Sequence, residues 1–386
     1  MNPTCSIPLG PEHEAAVLRV LRRGILVDGP EIEALENEFA GWLGVEPARV
    51  VAVSSGTAAL EALLLAHGVG VGDEVLVPGV TFTATALAVL RVGARPVLVD
   101  VNGSWTLSAS ALEKAIGPST VAAIGVDLDG SPANWDRLTK AARDLFLIED
   151  ACPAFGARYK GDDAGTLGRD GAAFSMNESK QLPAGEGGFV VAPYSAIADR
   201  IRRMRHFGHG ESTGPVWQRG VAVEEIGDNW KMTECAAAIA RASLPTLTER
   251  VMNSRLVGEI IRGALAESPV LAPASIAPGA EPSWYRLRAV AGSANEAMRA
   301  MTILDREGVG ITGREEVAPL REHPMFADLR RGLGDLPNAS QSSRSFCIGS
   351  RQKQVFAISP AEAERWAEVI SSLPSKLVSP RSKEEA

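Results

Sequence analysis

Short apolar runs rich in β-branched residues recur through the first half of the chain and alternate with stretches of helical period. The runs are VVAVSS, EVLVPG, RPVLVDV, VAAIGVDL, LFLIEDAC, GAAFSM and GFVVAP. Between them lie TAALEALLLAHG, TATALAVLRVG, SALEKAI and NWDRLTKAARD. Strands that are apolar throughout and separated by helices predict an α/β fold with a mostly parallel seven-stranded sheet buried on both faces. In such a sheet the loops at the carboxyl edge of the strands converge on the ligand.

After Tyr194 the pattern changes. AIADRIRRMRHFG reads as helix, and residues 208–229 as a Gly-rich polar loop. A helix from Thr233 meets Pro245, which kinks or ends it. From about residue 250 a smaller α/β unit follows, with SWYRLRAV and GVGI as strands and NEAMRAMTILDREG and PAEAERWAEVISSL as helices. The expected division is an N-terminal segment and large domain over 1–248, a small C-terminal domain over 249–378, and a frayed tail over 379–386.

Composition narrows the class. At 386 residues the length favours two domains, and 45% hydrophobic against 22% charged residues is ordinary for a globular enzyme. A net charge of −8 without a basic run gives no footprint for nucleic acid. Cys5, Cys152, Cys235 and Cys347 are scattered, with no spacing that reads as a metal site or a disulfide framework. The start lacks the pattern of a secretion signal, and apolar runs such as TALAVL fall short of a membrane span. A soluble cytoplasmic protein is expected.

Three places carry candidate chemistry. Ser54, Ser55, Gly56 and Thr57 end a strand and open a helix, which reads either as a helix cap or as an anion site at the positive helix end. Glu149 and Asp150 end a very apolar strand, where a carboxylate requires a cationic partner or caps the next turn. Lys180, in NESKQLPAGEGG, is either a solvated loop charge or a desolvated amine able to attack carbonyls. Together they supply what pyridoxal phosphate (PLP) requires: a phosphate cradle, a carboxylate for the ring nitrogen and a lysine for the imine.

The chain resembles the DegT/DnrJ/StrS sugar aminotransferases, a branch of the fold-type I PLP enzymes. The resemblance rests on GPEIEALENEFAGWLG (29–44), SSGTAALEALLLAHGVGVGDEVLVPGVTFTATA (54–86), GARPVLVDV (93–101), IEDACPAFGARYKG (148–161), FSMNESKQLPAGEGG (174–188), IGDNWKMTECAAAI (226–239) and PLREHPMF (319–326). It implies that Lys180 carries the cofactor and moves the proton, and that Asp150 faces the pyridinium nitrogen. It further implies that Ser55, Gly56, Thr57 and Ser175 hold the phosphate, and that Phe82 lies in the segment that stacks on the ring. Asn229 matches a residue that reaches the neighbouring subunit's phosphate, so a homodimer with shared active sites is implied.

Two positions depart from the pattern. Pro153 replaces a Gln or His, and Asp127 replaces a His at the end of the preceding strand. Asp127, His206 and His323 are candidate substrate contacts; Arg205 and Arg286 are candidates for a substrate anion. The expected reaction transfers an amino group from glutamate or glutamine to a keto-sugar or keto-cyclitol in sugar-nucleotide or antibiotic biosynthesis. The alternatives are another PLP-dependent carbanion reaction, elimination or condensation, and a non-catalytic PLP-binding regulator.

Overall fold

The computed structural model describes residues 9–209, 223–312, 318–327, 336–350 and 353–373. Two helices, α1 (Pro11–Arg23) and α2 (Pro30–Leu43), precede the first strand. Each begins Gly-Pro and ends at a glycine with positive φ, 76° at Gly24 and 74° at Gly44. Proline at the first helical position has no N–H to leave unpaired, and glycine enters the left-handed region freely.

Strand β1 (Val50–Val53) then leads through α3 (Gly56–Ala66) to β2 (Glu74–Pro78). The alternation continues with α4 (Thr83–Arg91), β3 (Arg95–Val99), α5 (Ala109–Ala115), β4 (Thr120–Val126), α6 (Trp135–Ala141) and β5 (Phe146–Asp150). A small hairpin, β6 (Arg158–Tyr159) and β7 (Asp162–Asp163), precedes β8 (Ala172–Ser175) and β9 (Gly188–Val191).

The seven expected strands form one sheet in the order β1-β9-β8-β5-β4-β2-β3. β2, β3, β4, β5 and β8 are mutually parallel, while β9 is antiparallel to both its neighbours. The carboxyl ends of β1, β5 and β8 and the start of β9 therefore share one edge. Successive residues feed opposite faces: Val51 and Val53 join the α3 leucines, whereas Val50 and Ala52 join Leu35 and Phe39 of α2. α5 and α6 cover the rest of that second face, with Leu112, Trp135 and Leu138 against Val97, Ala123 and Leu147.

α7 (Ser195–Met204) and α8 (Glu234–Ser243) complete the large unit. Buried Glu234 accepts the N–H groups of Gly29, Glu31 and Ile32 at 3.2, 2.9 and 3.1 Å. Its carboxylate thus neutralises the positive end of α2 from a position some two hundred residues away. Pro245 does end α8: a short 3-10 turn, Leu244–Thr246, separates it from α9 (Leu247–Glu267).

α9 begins at Leu247, runs across the boundary expected after residue 248, and serves two packing clusters. Leu247 and Val251 pack in that of the large unit, Val257, Ile261 and Leu265 in that of the smaller one. The smaller unit contains β10 (Leu271–Pro273), β11 (Ala280–Glu281), β12 (Leu287–Ala291), α10 (Ala294–Arg306), β13 (Ile311–Thr312), β14 (Ser345–Ile348) and α11 (Pro360–Ser371). Its antiparallel sheet runs β10-β12-β14-β13, and β11 instead joins β6 and β7 in a ribbon that ties it to the large unit. SWYRLRAV becomes strand only from Leu287; Trp284 sits at φ 42° ahead of it. The expected tail over 379–386 and most of the expected loop, residues 210–222, lie outside the described residues. Among the described residues no helix is long and apolar enough to cross a membrane.

α9 approaches the Trp284 ring so closely that a Cβ on Gly258 would overlap it. Alanine gains about 1 kcal/mol of helix propensity, but overpacking a buried ring costs about 1–3 kcal/mol. Gly258→Ala is therefore expected to lower the urea midpoint; an equal or higher midpoint would refute this contact.

Candidate active site

The shared sheet edge is assembled by backbone contact. Ser55 caps α3, its Oγ accepting the N–H of Ala58 at 3.1 Å, so the hydroxyl expected at an anion serves the helix. Helix geometry leaves the first N–H groups of α3 without carbonyl partners, at the positive end of its dipole. Gly56 lies on the ends of β5 and β8: a Cβ there would stand 2.6 Å from Cys152 Sγ and 2.9 Å from Ser175 Cβ. Gly188 pairs with both Val53 and Ser175, and a Cβ on it would stand 2.8 Å from the Gly56 nitrogen. The last glycine of GEGG is thus demanded by neighbouring backbone, before any ligand is considered.

The adjacent carboxylates at the end of β5 have opposite surroundings. Asp150 is 5% exposed and turns to the α4 side, accepting Thr85 Oγ1–H at 2.9 Å and the Cys152 N–H at 3.2 Å. Glu149 turns to the other face and accepts three N–H groups: Gly165 at 2.6 Å, Leu167 at 2.8 Å and Gly168 at 2.9 Å. Thr85 was not singled out from the sequence, although it lies three residues after Phe82, at helical spacing. Phe82 precedes α4 with its side chain largely exposed, and its carbonyl accepts the Thr85 N–H.

Lys180 is half-buried, and its Nζ lies 4.2 Å from the centre of the Tyr285 ring. Cys152 lies near both Lys180 and Asp150. Burial pushes its thiol well up, the Asp150 charge adds to this, and the Lys180 ammonium opposes it. Ser175 Oγ accepts the Asn177 N–H at 3.3 Å, on the same loop. The structure therefore brings together Gly56, Asp150, Ser175 and Lys180, with Ser55 and Thr57 on the adjoining turn.

It does not bring Asp127 there. Asp127 is fully buried on the α6 face, where Oδ1 accepts the Ala133 N–H and Trp135 Nε1–H, each at 2.9 Å. Burial, reinforced by the nearby Glu149 charge, holds its pKa well above the usual carboxylate range. Burial raises Glu149 as well, and its three N–H donors partly offset this, which favours the charge on Glu149 and the proton on Asp127. As a substrate contact Asp127 is ruled out by this geometry. The Ala133 N–H ahead of α6 and the Trp135 indole at its start draw its side chain away from Asp150.

The remaining candidates sit elsewhere. Arg205 is committed to Glu36 and the Ala52 carbonyl, at 2.9 and 2.7 Å, which makes it a structural tie. Asn229 is exposed and pairs by backbone with His206, whose ring lies 3.7 Å from Asp28. His323 follows Leu320, which donates its N–H to the Gly79 carbonyl in the loop leading to Phe82.

Residues 9–353 match the DegT/DnrJ/EryC1/StrS aminotransferase family. The chain belongs to this family. It is 37% identical over 339 residues to the erythromycin biosynthesis sensory transduction protein EryC1 of Saccharopolyspora erythraea, covering 86% of this chain and 88% of the relative. It is 36% identical over 366 residues, 92% of each chain, to a dTDP-3-amino-3,4,6-trideoxy-alpha-D-glucose transaminase of Streptomyces venezuelae. Among solved structures it is similar to S. venezuelae DesV in complex with a ketimine intermediate, with a TM-score of 0.84, 31% identity and 94% of each chain covered. The protein is thus a PLP-dependent aminotransferase of fold type I.

The described residues of the aminotransferase fit that cofactor. An amine, a carboxylate and a helix N-terminus meet at one edge, and glycine leaves the approach to the turn free of side chains.

The buried carboxyl pair gives a pH signature. A raised pKa means that stability is present while Asp127 is protonated and is lost as pH rises through its folded value. Asp127→Asn keeps a donor toward Glu149 and removes the second charge. Urea midpoints followed from about pH 4, the unfolded carboxylate value, upward should fall for the wild type and less for the variant; parallel curves would contradict the pairing.

Proposed function

We propose that this aminotransferase moves an amino group from glutamate or glutamine to a ketone on a sugar or cyclitol, in sugar-nucleotide or antibiotic biosynthesis. The carrying observation is the meeting of Lys180, Asp150 and the α3 turn at one sheet edge, in a chain 36% identical to a dTDP-amino-sugar transaminase. When bound, PLP supplies the electron sink for charge developing at the substrate carbon.

Each residue has a part that its surroundings support. Lys180 Nζ takes and returns the proton at the substrate carbon. Asp150, held by Thr85 and the Cys152 N–H, keeps a proton on the cofactor's ring nitrogen by placing a carboxylate there. The Gly56 and Thr57 N–H groups and the Thr57 and Ser175 hydroxyls bind the phosphate, while Ser55 acts through its cap. Phe82 offers a ring face at the mouth.

A second copy of the chain completes the site. Leu26, Val27, Phe207 and Ile226 are exposed around Asn229, and Leu18, Leu21 and Ile25 extend this apolar surface along and beyond α1. Backbone bridges from Val27 to Thr233 and from His206 to Asn229 hold that surface together. Apolar patches of this kind mark interfaces, and a two-fold arrangement would place Asn229 and His206 of one subunit at the other's mouth. His323, beside the Phe82 loop, joins them as a candidate acceptor contact.

The alternatives lose support. The carbanion reading drew on Pro153 and Asp127, and Asp127 faces away from Asp150. The regulator reading gains from the name of EryC1, yet Lys180 and Asp150 are both present with their supporting contacts.

Lys180→Ala decides the matter. Wild-type protein should absorb in the violet, lose that band on addition of glutamate or glutamine with release of one equivalent of oxo acid, and regain it with a keto-sugar or keto-cyclitol. The variant should remain folded and turn over about a thousandfold more slowly or worse. Wild-type turnover by the variant, or no oxo acid from either donor, would defeat the proposal.

A further inference from the structure

Tyr285 and Arg286 have no part in the scheme above, yet they stand against the reacting lysine. Tyr285 lies in the segment ahead of β12, is 7% exposed, and presents its ring to Lys180 Nζ at 4.2 Å. The Arg286 guanidinium lies 4.7 Å from the centre of the same ring and donates from Nη2 to Tyr285 Oη at 3.3 Å.

The phenol heads a directed chain. Tyr285 Oη and Ser179 Oγ are 2.9 Å apart. Ser179 Oγ donates to Asn177 Oδ1 at 2.9 Å, which makes the tyrosine hydroxyl the donor to Ser179. Asn177 Nδ2 in turn donates to Glu186 Oε1 at 2.9 Å. Every hydrogen bond thus points the same way, from the Arg286 guanidinium through Tyr285, Ser179 and Asn177 to the Glu186 carboxylate. Charged ends of opposite sign stabilise such a chain. Asn177, Ser179 and Glu186 belong to the loop that carries Lys180.

We infer that Tyr285 is a positioning residue for Lys180: its ring face holds the ammonium at the sheet edge whenever the amine is not bonded to the cofactor, and its hydroxyl fixes the lysine loop. A flexible lysine would otherwise spread over many rotamers. A π face attracts the ammonium without offering a carboxylate that would hold it permanently, so the amine is kept close and remains available. The inference rests on Lys180 being the reacting amine, and it concerns no particular acceptor.

The test uses the full chain freed of cofactor and two readouts. Acylation by acetic anhydride at one fixed pH, followed at Lys180 and at the other lysines by peptide mass spectrometry, reads the amine directly. In Tyr285→Leu labelling of Lys180, relative to the other lysines, should be faster by about fivefold or more. Tyr285→Phe, which keeps the ring, should stay within about twofold of wild type. A merely structural role would speed labelling of neighbouring lysines as well, whereas the ring contact affects Lys180 alone. Hydrogen exchange reads the loop: Tyr285→Phe and Ser179→Ala should each speed exchange of the amides at 178–181 by about tenfold. Unchanged relative labelling of Lys180 in folded Tyr285→Leu, or unchanged exchange in both hydroxyl variants, would overturn the inference. Should Tyr285→Leu not fold, exchange in the two hydroxyl variants decides alone. Because acylation reads the amine itself, a wrong assignment of the amino acceptor leaves the result standing.

Discussion

The site depends on how closely backbone approaches backbone where β1 passes into α3. Gly56 rests on Cys152 and Ser175, and Gly188 rests on Ser55 and Gly56, each with less room than a methyl group needs. That approach is possible because β9 runs antiparallel between β1 and β8, so its first residue reaches the edge where their last residues lie. A side chain at either glycine would push α3 away from β5 and β8. The helix N-terminus would then separate from Asp150 and from the lysine loop. Sheet topology, two absent Cβ atoms and the site's charge geometry are one constraint.

The same edge shows how neighbouring residues of one type acquire different work. Glu149 and Asp150 are adjacent, but strand geometry points them to opposite faces. Glu149 is enclosed by three N–H donors from residues 165–168 and a protonated Asp127, so its charge is spent on structure. Asp150 has one hydroxyl and one N–H donor and lies beside Cys152. A carboxylate only partly satisfied by the protein is the one able to meet a cation brought by a cofactor.

Much of this was legible in the sequence because it is local. Seven apolar runs identified seven strands, Pro245 ended a helix, and Lys180, Asp150 and the SGT turn carried the family resemblance. The rest depends on contacts between distant segments. β10 and β14 are three and four residues long, too short to show a period. Glu234 caps α2 across the sequence, and no pattern near either end announces it. Asp127 was placed near the substrate because it occupies a histidine's position. Its side chain instead follows the Trp135 indole and the Ala133 N–H, which only the fold brings within reach. Tyr285 read as a strand residue, and the contact that gives it significance spans 105 residues.

Charge on the two sides of the edge follows the same division. On the cradle side, helix α3 contributes partial positive charge through fixed N–H groups, which hold an anion without any side chain having to order. On the reacting side, Lys180 must both bond and release, so a fixed counter-charge would oppose its work. The structure instead supplies a neutral ring, and assigns the full charges of Arg286 and Glu186 to the ends of a hydrogen-bonded chain. Rigid dipoles for the group that stays and a weak, directional attraction for the group that moves are what the two roles demand. The segments carrying them, 54–57 after β1 and 283–286 before β12, adjoin different sheets and are brought to one edge by α9 and the β6–β11 pairing.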